Sequence, residues 1–163
     1  GILAHYKGDK WFHNSPLFLE HLSLFSGSFV QGGLSRERLR LSVIAHIAVE
    51  MMIDRWIVLE RPALCEDYYN QIGKADEGKI AAYFDSLNME NEKRNFITRF
   101  QFFKQRRFIF LFKDLAHIVF GLNRVYSSVT RTEFTEAEKQ MFITILGNID
   151  NGMRYSWKEI LKA

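Results

Sequence analysis

Apolar residues recur at three- and four-residue spacing along most of this chain, a period that predicts helices throughout. The few prolines and glycines act as punctuation. A first helix is expected over residues 2–13, and Asn14-Ser15-Pro16 restarts the chain. Ser15 is a good N-cap there, and Pro16 suits the first helical position, where an N–H is not needed. Gly32-Gly33 breaks the second helix. A long third helix is expected from 35 to about 60, ending at Arg61-Pro62 because the residue before a proline disfavours helical dihedrals. Pro62 opens a short helix through Tyr69 that Gly73 closes, and 76–87 forms the next. Residues from about 92 to 126 read as one helical stretch, or as two with a break near 105–107. Thr135-x-x-Glu138 is a capping box for the last helix. The run FIFLF could alone be a strand, yet nothing else offers it a partner. With no repeat, low-complexity segment or linker, the expectation is an all-α, single-domain helical bundle over 1–163.

The third helix carries a conflict. Val43, Ile44, Ala45, Ile47, Ala48 and Val49, followed by Met51, Met52 and Ile53, cover nearly its whole circumference, and a helix apolar all round is usually buried. His46, Glu50 and Asp54 nevertheless form a polar stripe on it, drifting only about 40° per four-residue step. A buried carboxylate without a partner neutralises, so the stripe implies cations, donors or a metal beside it. The first helix repeats the spacing with His5, Asp9 and His13. Imidazole and carboxylate facing the same across a helix pair suit divalent transition metals. His5, Asp9, His13, His46, Glu50 and Asp54 are therefore the expected ligands, for an ion such as Mn, Fe or Zn. The alternative is that these groups pair with one another or with Arg55, Lys7 and Lys10.

Composition adds bounds. A 47% hydrophobic and 15% aromatic chain can bury a real core. Twenty-two basic against nineteen acidic residues give +3, which permits an acidic partner, while no basic block or known motif argues for nucleic acid. The longest apolar runs are too short or too polar to span a membrane, and no signal peptide is read. The single Cys65 cannot form an internal disulfide, which suits a cytoplasmic location, and it reads as a small buried hydrophobe. His21 reads as a surface or helix-face histidine; His117 fits a core or a site equally well. Arg36 and Arg40, like Lys104, Arg106 and Arg107, are solvated faces or a landing place for an acidic partner. No phosphate loop, nucleophile elbow or CxxC pair is present.

GILAHYKGDKWFHNSPLF resembles the G-I-x-x-H-x-x-x-D-x-aromatic motif, ending in proline, of the acyl carrier protein phosphodiesterase family, with His5, Asp9, Trp11 and Pro16 at its positions. His13 stands where the family commonly carries aspartate. Glu50 and Asp54 match its second motif of two acidic residues one turn apart, with Arg55 where histidine often follows. GLNRVYSSVTRT is similar to a third segment, in which Arg124 and Arg131 correspond. The resemblance spans most of the chain in order and spacing. It implies a helical relative of the HD-type metal-dependent phosphohydrolases, although no His-Asp dipeptide occurs here. It also implies a region upstream of Gly1 carrying a further aspartate.

The expected activity is metal-dependent phosphodiester hydrolysis that removes 4'-phosphopantetheine from acyl carrier protein. Asp9, Glu50 and Asp54 would serve the chemistry. Arg36, Arg40 and Arg124 would hold the phosphate or steer the acidic protein substrate. Two alternatives stand beside it: a metal-dependent hydrolase of a small phosphodiester or nucleotide, and a non-catalytic helical binding protein.

Overall fold

The computed structural model describes residues 2–153, which are all-helical, with no strand among them. The elements are α1 (Ile2–His13), α2 (Pro16–Gln31), α3 (Leu41–Glu60), α4 (Pro62–Gly73), α5 (Glu77–Ser86), α6 (Glu90–Arg106), a 3-10 segment (Phe108–Lys113), α7 (Leu115–Thr130) and α8 (Glu136–Met153). Local chemistry sets the boundaries. Ser15, Asp76 and Asp114 cap α2, α5 and α7 through side-chain oxygens that accept helix-start amides. The break expected near residues 105–107 falls at Arg107, which takes a left-handed conformation (φ 49°) and turns the chain out of α6. FIFLF is neither strand nor α-helix but the tighter 3-10 form.

One boundary departs from the sequence pattern. Helix α3 starts at Leu41 rather than at 35, because residues 35–38 close a separate turn in which Ser35 Oγ accepts the Arg38 N–H at 3.3 Å. Arg38 is then spent elsewhere. Its guanidinium grips both carboxylate oxygens of Glu138, with Nε to Oε1 at 2.7 Å, and also donates to Glu133 O at 2.6 Å. Glu138 meanwhile completes the expected capping box by accepting the Thr135 N–H at 2.7 Å, and its own N–H donates to Thr135 Oγ1 at 3.2 Å. One carboxylate thus ties the 32–40 loop to the start of α8.

Helix α3 is the axis of the molecule. Ile44, Ala48, Met52 and Trp56 are buried against Phe18, Phe25 and Phe29 of α2, Ile118, Leu122 and Tyr126 of α7, and Phe142 and Leu146 of α8. Just past α2, a β-carbon at Gly32 would stand 2.3 Å from Ile145 Cδ1, so a larger residue there would have to displace the Ile145 side chain of α8. At the other end of α3, Asp150 of α8 accepts from Trp56 Nε1 at 2.6 Å and from Arg55 Nη2 at 3.0 Å. Arg55 also donates to the carbonyls of Phe112 and Lys113 in the 3-10 segment. Arg55 is therefore a strut between elements and does not pair with the polar stripe. Helices α5 and α6 pack mainly on each other and bury no residue completely.

Arg38 foremost, with the Thr135 donors, holds the Glu138 carboxyl down to about 2. A carboxyl depressed on folding contributes stability that is present above its ordinary 4.5 and is lost as pH falls through about 2. Glu138→Gln keeps the cap but removes the charge. It is expected to cost about 1–3 kcal/mol at neutral pH, discounted for the exposed side of Arg38, and to flatten the acid limb of a stability-versus-pH curve measured by urea denaturation.

Candidate metal centre

The corner between α1 and α2 positions the first donor. Ser15 Oγ accepts the Phe18 N–H at 3.2 Å and donates to Phe12 O at 2.7 Å, while the Asn14 amide donates to Lys10 O at 2.6 Å. These bonds reinforce carbonyls of α1 that already accept the Asn14 and Ser15 N–H groups, and they satisfy an amide left free at the start of α2. Phe12 is thereby held against Phe18, ring centroids 4.9 Å apart, and His13 beside it packs on Phe18 at 4.8 Å and on His46 at 4.5 Å. Among the described residues of α1, those of its last turn reach the stripe on α3. Leu3, Tyr6 and Trp11 remain exposed.

Helix α3 supplies the other donors. Glu50 Oε1 lies 2.8 Å from His13 Nε2 and 3.4 Å from His46 Nε2. One donor atom from each of His13, His46 and Glu50 lies within 4.8 Å of the other two. Donors around a tetrahedral zinc, each about 2 Å from the ion, stand about 3.4 Å apart, so this spacing fits a small divalent ion. Two imidazoles and one carboxylate also match the donor set of catalytic zinc and non-haem iron centres, which keep further positions open. Asp9 Oδ1 faces the opposite ring nitrogen, Nδ1 of His13, at 3.6 Å. The shorter contact, at 2.8 Å, has His13 Nε2–H donating to the Glu50 carboxylate, so an ion held between them would take the place of that proton.

The stripe is not sealed in the core. The side chains of His46 and Glu50 keep 38% and 42% of their exposure, because α1 covers only one end of that face. Asp54, one turn beyond Glu50, is partly buried, and burial together with the Glu50 charge pushes its carboxyl up to about 6. Glu50 and Asp54 also form one wall of a groove of about 380 Å³ between α3, α4, the end of α6, the 3-10 segment and α7. Its other walls include Tyr68, Phe103, Phe108 and Phe112.

The remaining sequence-predicted residues lie apart from the three-donor cluster. His5 is exposed, two turns before His13, with its ring 6.0 Å from that of Tyr6. Arg36 and Arg40 line a cleft at the start of α3, where Glu50 is ten residues, or about 15 Å of helix, away. Arg124 lines another cleft with Arg131, Ser127 and Ser128. Lys104 and Arg107 are engaged by Glu77 and Glu66. His21 corrects the surface reading: it is 1% exposed, its Nδ1 donates to Leu17 O at 2.7 Å, and its ring packs on Trp56. His117 belongs to neither the core nor the cluster, being exposed beside Asp114. Cys65 is buried as expected. The groove aromatics escaped the sequence reading because nothing distinguishes a groove phenylalanine from a core one by spacing.

Comparison of this chain with protein-family models, curated proteins and solved structures finds no match.

An acid whose folded pKa lies above its ordinary 3.8 contributes stability below that value, and the contribution is lost as pH rises through about 6. Asp54→Asn is therefore expected to stabilise metal-stripped protein by about 1–3 kcal/mol above pH 6 and to remove the slope below it. Glu50→Gln should lower the Asp54 titration midpoint. Denaturation across pH and carboxyl-carbon NMR titration read the two effects.

Proposed function

We propose that His13, His46 and Glu50 hold a divalent ion, Mn, Fe or Zn, and that the protein is a metal-dependent phosphodiester hydrolase. The observation that carries this reading is the convergence of two imidazoles and one carboxylate, from helices far apart in sequence, with the carboxylate shared with the wall of a groove. Of the alternative pairings, Arg55 is engaged by Asp150, whereas pairing of the groups with one another is present in the His13–Glu50 contact at 2.8 Å, which an ion would have to displace.

A bound ion would supply Lewis acidity at a phosphoryl oxygen and lower the pKa of a water. The chain's residues have separate tasks around it. Asp9 faces His13 Nδ1 at 3.6 Å and would help orient the ring once an ion replaces the proton between Nε2 and Glu50. Glu50 brings negative charge to the centre, and Asp54, one turn on, has a carboxyl suited to carrying a proton near neutral pH. In the hydrolysis, water adds its hydroxyl to phosphorus, the P–O bond to one alcohol breaks, and the proton ends on the departing alcohol oxygen. Arg36, Arg40 and Arg124 sit in clefts of their own and would dock an acidic protein rather than touch the phosphate at the centre.

Acyl carrier protein, implied by the family resemblance together with the HD-like fold, is one substrate of this reading. A small phosphodiester is the second, and the groove favours it: about 380 Å³ falls in the size range of small-molecule sites.

Calorimetric titration of chelator-stripped protein with Mn²⁺, Fe²⁺ and Zn²⁺ is expected to find one ion per chain. His13→Ala and His46→Ala should abolish that binding, while Asp9→Asn should weaken it by ~10–100-fold. Turnover of bis(p-nitrophenyl) phosphate, and mass loss from loaded acyl carrier protein, should follow the same order. Wild-type protein that takes up none of these ions would sink the reading.

A further inference from the structure

The groove beside the cluster has an unusual balance of walls. Glu50 and Asp54 project into it from one side, Tyr68, Phe103, Phe108 and Phe112 line it from the others, and no lysine or arginine is among its lining residues. The guanidiniums beside it are already committed: Arg107 pairs with Glu66 and lies over the rings of Tyr69 and Phe110, at 5.1 and 5.0 Å from their centroids, and Arg55 is held by Asp150 and the carbonyls of Phe112 and Lys113. Glu50 is answered by His13 and His46, at 2.8 and 3.4 Å, but Asp54, one helical turn on, faces no lysine or arginine among the groove's lining residues. A metal at the cluster would occupy Glu50 but not Asp54, which lies outside the three-donor set.

We propose that this groove binds an organic ammonium ion carrying alkyl groups, its charge beside Asp54 and its alkyl surface against the aromatic walls. Ring quadrupoles attract such cations, and the attraction strengthens where water is excluded. Alkylation fits the composition of the walls better than a bare ammonium would. A primary ammonium brings three donors that each need an acceptor, whereas an alkylated one spreads its charge over apolar surface. A neutral ligand would leave Asp54 without a counter-charge, and an anionic group would be repelled by it. Combined with the hydrolase reading, on which this step alone rests, the groove defines the substrate class as phosphodiesters in which one alcohol bears an alkylated ammonium. The phosphate would sit at the cluster and the ammonium about one turn of α3 away.

Choline and its uncharged isostere 3,3-dimethyl-1-butanol separate charge recognition from mere apolar fit. Titrated into chelator-stripped protein, choline is expected to bind at least about tenfold more tightly than the alcohol, equivalent to ~1.4 kcal/mol. Asp54→Asn should erase that preference while leaving the alcohol unaffected, and Phe108→Ala should weaken both. Equal affinity for the two, or no choline binding at about 10 mM, overturns the proposal. Because the protein is metal-free in this experiment, its outcome is independent of the hydrolase. Choline binding without metal uptake sinks the hydrolase alone, and metal uptake without choline preference sinks the ammonium site alone.

Discussion

Enclosure of α3 is the constraint on which the rest of the architecture depends. A helix with valine, isoleucine, alanine and methionine on nearly every face has to be surrounded, and α2, α4, α7 and the 3-10 segment pack directly on it. The His46, Glu50 and Asp54 stripe prevents the enclosure from being complete. Carboxylates cannot be packed against hydrocarbon on all sides without large cost, so one face of α3 stays open to water, to α1 and to the groove. The candidate site is what remains when a buried helix carries a polar line it cannot bury.

Much of this was legible in the sequence because it rests on local rules. Ser15-Pro16, Arg61-Pro62 and Thr135-x-x-Glu138 state helix boundaries in single turns, and those boundaries stand. The start of α3 was misplaced because Ser35 offers a local turn and Arg38 is drawn to Glu138, 100 residues away, a contact no window of sequence contains. Spacing also treated His5, Asp9 and His13 alike, since all three share a face. Reach distinguishes them: the corner at Asn14-Ser15 brings the last turn of α1 against α3, so His13 meets the stripe, Asp9 stands behind it and His5 faces solvent.

The charge distribution also gains meaning from the fold. A chain of net charge +3 holds an acidic interior groove, while its basic residues are distributed between clefts of their own and pairs with glutamate. The sign of the whole protein is therefore a poor guide to what its groove prefers. Electrostatic attraction at long range and selectivity at short range are set by different residues here.

The bonds from Arg55 to the carbonyls of Phe112 and Lys113 anchor the 3-10 segment by its main chain rather than by its side chains. Asp150 fixes the guanidinium in turn, so the strut is indifferent to which side chains the segment bears. A wall held in this way can change its lining without changing its position. Substitutions at Phe108, Ile109 or Phe112 would redraw the contour of the groove while its backbone frame persists. Such a segment offers a natural route by which descendants of one fold could come to accept different ligands.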